Sequence, residues 1–476
     1  MANEVAAVRN PTQEHWVPCL NRTSNKLYLA IVDAIATDIQ SGRLSTGDRL
    51  TPQRELAKRL GVNYATVSKA YNEAQRRGLI YSRVGQGSFV CKPRSIAARR
   101  YGTTARVDMT MNMPPTIEDV GLIAKLEEGF AQVARDLVDH LSYQEFGGSP
   151  VARAAGVRWL SRVALQADTE RVLVCPGVQS GLVATLNSLV KPGDVALCEE
   201  ITYPGLKAIA AQLGIRLIGL PQDDEGVQAD AFHEACQKHH PKVFYCNPTL
   251  QNPTTLTVSA PRRLQLVRHA RQHGLMILED DPYGPLPSSV HAPFAALAPD
   301  ITYYVTGLSK CVGAGLRVAY LLAPDGRRAR QLSEILRATS VMASPITVAL
   351  ATRWIEDGSA EATLLAIRRE SVARQEMVAR TLNMQWLQTD PECFHSWLTL
   401  PPGLCRDDFT IRMRAKGMHV VPSDGFAVGR HVPEAVRLCL GGPNNRQQLQ
   451  AALHAVRDAL HEPSLSTTST VSTGNT

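Results

Sequence analysis

From about residue 113 to 460 the chain alternates short strand-like runs with longer helical ones, and few architectures accept that pattern. Val172-Leu173-Val174-Cys175, Asp194-Val195-Ala196-Leu197, Val243-Phe244-Tyr245, Met276-Ile277-Leu278 and Ile301-Thr302-Tyr303-Tyr304-Val305 read as the strands. Helical stretches between most of them predict an α/β fold with a largely parallel sheet. At 476 residues the chain also has room for two or three domains. An apolar fraction of 44% with 20% charged residues suits a soluble globular protein. Ten cysteines occur without a CxxC pair or a histidine cluster, which predicts reduced thiols and no metal site. Glu4, Arg9, Glu14 and His15 leave no apolar leader, and no apolar run approaches a membrane span, so a cytoplasmic protein is expected.

Charge is unevenly divided. The first hundred residues hold 16 Lys and Arg against 7 Asp and Glu, so they carry +9 while the remainder carries −2. A local positive field attracts polyanions, of which DNA is the obvious one; a solvated basic face is the alternative. Residues 26–40 read as a helix with Leu27, Ile31, Ala34, Ile35 and Ile39 on one face. Thr51 is a plausible N-cap for a second helix with Pro52 in its first turn, ended by Gly61. A third helix runs from near Asn63 to about Arg77, closed by Gly78. Leu79–Arg83 and Ser88–Val90 then flank the glycine turn Val84-Gly85-Gln86-Gly87. Two helices joined by Gly61-Val62, followed by a hairpin, form a candidate helix-turn-helix with a wing. The exposed start of the third helix offers Asn63, Tyr64, Ala65, Thr66, Ser68 and Lys69 to base edges and phosphates. Arg54 points a guanidinium the same way, and Gly85, Gln86 and Gly87 let the wing backbone approach a duplex. A small helical interaction module is the competing reading.

This segment closely resembles the winged helix of GntR-type regulators. The resemblance rests on Gly47-Asp48-Arg49-Leu50, Pro52-Gln53-Arg54-Glu55-Leu56-Ala57, Leu60-Gly61-Val62-Asn63-Tyr64-Ala65-Thr66-Val67 and Gly78-Leu79-Ile80 through Gly85-Gln86-Gly87-Ser88-Phe89-Val90. Family members often have Leu at the place of Thr51 and Arg at that of Tyr64 or Ser68. The resemblance implies a double-stranded DNA operator.

Downstream, several residues carry chemistry. Pro176-Gly177-Val178-Gln179 opens a helix, where backbone N–H groups favour an anion. Asn252, in Asn252-Pro253-Thr254, is a side-chain donor that follows a strand and a polar loop; taken alone, it reads more readily as an Asn-Pro turn. Asp280, in Leu278-Glu279-Asp280, stands at the end of the apolar strand Met276-Ile277-Leu278, where a carboxylate needs a partner. A pyridinium nitrogen would serve, with Tyr283 donating to a phenolate oxygen. A cation-binding acidic turn is the alternative, although Pro282 and Tyr283 add no ligands. Lys310 follows another strand end, where desolvation makes an amine nucleophilic. Arg317, past Gly313 and Gly315, suits bidentate phosphate binding. Arg437 lies inside the apolar run Val436–Leu440 and should meet a carboxylate, from an internal Asp or Glu or from an amino-acid ligand.

In this order the signals resemble the fold-type I pyridoxal-phosphate aminotransferases, over about 113–460. The resemblance implies a large mixed, mostly parallel sheet with a smaller C-terminal α+β lobe. It implies that Lys310 forms the Schiff base with pyridoxal 5'-phosphate, Asp280 pairs with its ring nitrogen, and Asn252 and Tyr283 hold its 3'-oxygen. Tyr203 resembles the ring-stacking aromatic; Gly177, Val178, Gln179, Ser309 and Arg317 resemble the phosphate cup. Tyr143 resembles the tyrosine that reaches the neighbouring subunit's phosphate in a head-to-tail homodimer, and Arg437 the substrate-carboxylate arginine. Gly307 stands where the family often has a phosphate-binding serine, and Met111-Asn112-Met113-Pro114-Pro115 lacks a glycine common near the entrance. The whole chain resembles the MocR-type subfamily of GntR regulators. The expected layout is a winged helix at 20–91, a linker at 92–112, an aminotransferase-like domain at 113–462 and a disordered tail at 463–476. The expected function is a pyridoxal-phosphate-dependent regulator sensing a small amino compound or the cofactor itself. A working aminotransferase with an accessory DNA-binding domain is the alternative.

Overall fold

A computed structural model describes residues 16–18, 27–45, 47–76, 79–83, 87–90 and 107–462. Gly85, Gln86, residues 92–106 and the 463–476 tail lie outside the described residues. The chain divides into two units, Met1–Thr103 and Thr104–Thr476.

In the first unit the helices Leu27–Gln40, Gln53–Leu60 and Tyr64–Arg76 enclose Ile31, Ile35, Leu56, Val67, Ala70 and Tyr71. These residues recur at helical spacing, so one stripe of each helix is apolar. Gly61 takes a left-handed φ of +65° and ends the second helix by donating to Ala57 and Lys58 carbonyls. Thr51 does not cap that helix: Pro52 stands at the N-cap, and the Thr51 hydroxyl donates to the Trp16 carbonyl. The third helix is capped by Asn63, whose Oδ1 accepts from Ala65 N–H at 2.9 Å. The strands Ile80–Arg83 and Gly87–Val90 pair antiparallel, Ile80 opposite Val90, which is the expected wing.

The second unit is built on a seven-stranded sheet. Its order is Val172–Cys175, Ala319–Leu322, Thr302–Gly307, Met276–Asp280, Val243–Cys246, Val195–Glu199 and Arg216–Leu220. Ala319–Leu322 runs antiparallel to both neighbours and the other pairs are parallel. The five expected strands are present. The two additional ones are the antiparallel Ala319–Leu322 and the edge strand Arg216–Leu220. Apolar side chains from alternate strand positions feed separate clusters, as a sheet covered on both faces requires. A smaller lobe holds four antiparallel strands in the order Leu387–Thr389, His395–Thr399, Ala435–Cys439 and Val421–Pro422.

The expected linker ends earlier than residue 112. Val107–Asp108 pairs parallel with Met418–His419, and Met109 is fully buried. Its N–H donates to His419 and its carbonyl accepts from Cys439. Burying one methionine stabilises by roughly 2 kcal/mol, so residues 107–113 form a strap fastened to the second unit.

Candidate functional site

The parallel strands deliver their C-terminal ends to one place, the usual ligand position in such a sheet. Asp280 terminates Met276–Asp280 and is almost fully buried. Its Oδ2 accepts from the Tyr245 hydroxyl at 2.7 Å, and its main-chain carbonyl from Asn247 Nδ2 at 2.6 Å. Its Oδ1 is buried with no hydrogen-bond partner among the described residues. Burial pushes the carboxyl up to about 7, with the Asp281 and Glu199 carboxylates adding to the effect. Glu199 supports this layer: it accepts from Asn247 N–H and the Thr202 hydroxyl, and burial pushes it up to about 7. Asn247 in turn accepts from Asn252 N–H at 2.8 Å, so one asparagine sets both Asp280 and Asn252. The Asn252–Pro253 peptide bond is cis.

Lys310 lies three residues past Thr302–Gly307, and its amine donates to the Asn112 carbonyl. Burial lowers the amine to about 8; Arg437 and Arg317 push the same way, while Cys439 and Asp280 oppose them. Tyr283 is fully buried and its phenol oxygen accepts from Asn112 Nδ2 at 2.7 Å. Arg437 donates to Asn252 Oδ1 at 2.7 Å and to the Thr110 carbonyl, and stacks 5.1 Å from the Phe426 ring. Among the described residues no carboxylate pairs with it, and its Nε is buried without a partner. The expected internal acid is therefore not found among the described residues; Asn252 Oδ1 and the Thr110 carbonyl stand in its place. Tyr203 is half-buried, with its phenol raised by burial and by Asp280.

Where the sequence places the expected phosphate cup, Gly177 has a φ of +89° and caps the helix Val178–Leu189. A Cβ there would lie 2.3 Å from Arg317 Nη2, so only glycine lets the guanidinium lie across that helix start. Val178 and Gln179 contribute the first N–H groups of the helix, and half-buried Ser309 precedes Lys310. Gly307 has a physical reason to lack the serine side chain: a Cβ would meet Val178 Cγ2 at 2.7 Å. Tyr143 is 81% exposed and does not reach this site within the chain.

A phosphate, a ring and an amine acceptor fit these residues. The orphaned Asp280 Oδ1 suits a protonated ring nitrogen, and Arg317 over Gly177 suits a phosphate. The partnerless Arg437 Nε, on a guanidinium held only by neutral acceptors, suits a carboxylate. Asn112, Glu199, Tyr245, Asn247 and His395 were not foreseen; the Asn247-Pro248 step and the Glu199 carboxylate at a strand end were the available signals.

In the first unit, Arg54, Asn63, Tyr64, Ala65 and Lys69 are exposed, and Thr66 and Ser68 half-buried. Lys69 lies 4.5 Å from the Tyr28 ring, and the Asn63 oxygen is committed to its cap. Gly87 has a φ of +107°, and the Arg49 guanidinium lies against it, within 3.0 Å of where a Cβ would be. Arg49 is thus a further cation at the wing.

Fold and site together define a fold-type I aminotransferase-like protein carrying a winged helix. The chain belongs to the aminotransferase class I and II family, matched over residues 118–456. Residues 27–90 match the bacterial regulatory proteins of the gntR family, and the pair of domains is consistent with the MocR type. The chain is 28% identical to the uncharacterized HTH-type transcriptional regulator YdeF of Bacillus subtilis, over 94% of this chain and 97% of that one. It is 27% identical to the vitamin B6 salvage pathway transcriptional repressor PtsJ of Salmonella typhimurium, over 91% and 98% respectively. The fold matches that of LysN, an alpha-aminoadipate aminotransferase from Thermus thermophilus solved with N-(5'-phosphopyridoxyl)-L-leucine. That match has a TM-score of 0.67 and 22% identity over 75% of this chain and 92% of LysN. Pyridoxal 5'-phosphate is the cofactor this fold supports, and the residues present fit it. Among the described residues no helix is long and apolar enough to cross a membrane, and no cluster suits a metal ion.

Proposed function

We propose that the protein is a pyridoxal-phosphate-dependent transcriptional regulator whose second unit senses a small amino compound. The observation that carries this reading is the pairing of two features in one chain. A site with an amine at Lys310, an orphaned Asp280 Oδ1 and an orphaned Arg437 Nε follows a basic winged helix. Full-length similarity to proteins named as transcriptional regulators supports it.

Bound at the site, the cofactor supplies an aldehyde on an electron-withdrawing ring. Lys310 would hold that aldehyde carbon through its amine, the position for which a ligand amine would compete. Asp280 holds a proton near neutral pH and can hand it to the ring nitrogen. Asn252 and Tyr283 would hold the 3'-oxygen, and Tyr203 would stack on the ring. Gly177, Val178, Gln179, Ser309 and Arg317 would hold the phosphate. Tyr143 would reach the neighbouring subunit of a head-to-tail homodimer. Arg437 would take the effector carboxylate, which must displace the Thr110 carbonyl from it. Ligand binding thereby competes with the strap leading toward the winged helix, and only such differential contact can shift a regulator between states. Operator contacts would come from Arg54, Asn63, Tyr64, Ala65, Thr66, Ser68, Lys69, Gly85, Gln86 and Gly87, in a cytoplasmic setting.

The test is DNA affinity, by fluorescence anisotropy on the fragment upstream of its own gene. Cofactor-free, cofactor-loaded and amino-compound-treated protein are compared. Equal affinity in all three states would refute sensing. A response to pyridoxal phosphate alone would make the cofactor the signal, as the name of the PtsJ relative suggests. Sustained turnover of amino donor to keto acid would favour the working aminotransferase, which the presence of Lys310, Asp280 and Arg437 permits.

A further inference from the structure

Tyr283 is placed by a buried chain of hydrogen bonds that runs in one direction. His395 is fully buried, and its Nε2 lies 3.0 Å from the Gln251 carbonyl oxygen. A carbonyl only accepts, so Nε2 carries the proton. Burial holds the imidazole down at about 3, so the ring is neutral and Nδ1 is bare. Around Nδ1 stand two donors, the Cys393 thiol at 3.0 Å and Asn112 Nδ2 at 3.2 Å. Turning the Asn112 amide over would set its oxygen against the bare Nδ1, so the orientation is forced. The second hydrogen of the same Nδ2 goes to the Tyr283 oxygen at 2.7 Å. A phenol has one hydrogen. With its oxygen already accepting, Tyr283 keeps that hydrogen for a partner in the site.

We propose that His395 and Asn112 are positioning residues that make Tyr283 an obligate donor into the cofactor site. This rests on the reading of Tyr283 as the partner of the cofactor's 3'-oxygen. Asn112 stands in the strap segment that lacks the entrance glycine, and a glycine would supply no amide. Its main-chain carbonyl meanwhile holds the Lys310 amine, so one residue touches both groups.

The experiment loads wild type, Y283F, N112A, N112D and the N112D/Y283F double variant with pyridoxal phosphate. The pH midpoint of the cofactor's visible band is then followed. A donor on the 3'-oxygen draws charge from it and weakens the neighbouring nitrogen's hold on its proton. Removing the donor in Y283F therefore raises the midpoint, by about one pH unit, a tenfold change in proton affinity. Asn112→Asp preserves shape but offers an acceptor to Tyr283, which turns the O–H away. It is expected to approach the Y283F midpoint, N112A to move much less, and N112D to add nothing in the Y283F background. N112D moving no further than N112A, or shifting the double variant as much as wild type, would overturn the proposal. A through-space effect of the new charge would give that second result. Nitrogen NMR of cofactor-free protein reads the network directly: a neutral His395 protonated on Nε2 is expected, and an Nδ1-protonated ring would overturn it. A wild type with no visible band would sink the cofactor reading and the proposal together, whereas a wrong tautomer sinks the proposal alone.

Discussion

Asp280→Asn should stabilise the cofactor-free protein while impairing its use of the cofactor. Asp280 is buried, with one oxygen bonded to Tyr245 and the other partnerless. Burial raises its carboxyl from 3.8 to about 7. With a raised folded-state value, the folded protein binds more protons than the unfolded chain between these two pH values. Stability contributed by this residue therefore falls as pH rises through the window, and the penalty is complete above pH 7. Three pH units correspond to about 4 kcal/mol at pH 8, and the same relation leaves about 2 kcal/mol at pH 5. Asparagine has the same shape, still accepts from Tyr245 and never ionises. A unit of this size shifts its melting temperature by roughly 1 °C per 0.8 kcal/mol. Cofactor-free D280N should accordingly melt higher than wild type by about 5 °C at pH 8 and about 2 °C at pH 5. Other titrating groups are shared and cancel in the difference. Differential scanning fluorimetry at the two pH values measures it. Saturating pyridoxal phosphate should reverse the order, because only the carboxylate can pair with a protonated ring nitrogen. Equal melting at pH 8, or a gain that ignores pH, would refute the argument that an unpaired buried carboxylate is held in readiness for a cation.

Three further outcomes follow from the geometry. The Lys310 amine, lowered to about 8, is reactive only when deprotonated. The rate at which the visible band forms should therefore climb with pH and level off above about 8, and stopped-flow absorbance should find no band in K310A. Gly307→Ser forces a Cβ to within 2.7 Å of Val178; it should lose about 1–3 kcal/mol by overpacking, and an unaltered melting temperature would show that Val178 yields. Arg54→Ala should weaken binding to all DNA sequences alike and reduce the salt slope by about 1; a selective loss at one sequence would make Arg54 a base reader instead.

Residues whose surroundings are local were legible, and those defined by distant contacts were not. Asp280, Tyr283 and Lys310 each sit within a few residues of a strand end, so a short window shows both the strand and the chemistry. The winged helix was legible for the same reason, since its apolar stripes and glycine stops repeat within about one turn of helix. Asn112 lies 171 positions from Tyr283 and 283 from His395, and Arg437 meets Asn252 across 185. No periodicity reports pairings of that range. The Ala319–Leu322 strand escaped because four apolar residues fit helix, strand or loop equally. Thr51 shows the limit even of local grammar: it precedes a helix and could cap it, yet its hydroxyl goes to Trp16, 35 positions upstream. Gly307 shows the converse. Read against the family it was a missing serine; against Val178 it is the only residue that fits without movement. The strap joins these lessons. Residues 107–112 read as linker because they carry little local pattern, but Met109 is buried and Thr110 and Asn112 hold Arg437 and Lys310. A segment that holds both Lys310 and Arg437 is packed into the candidate site, however much its sequence resembles a connection.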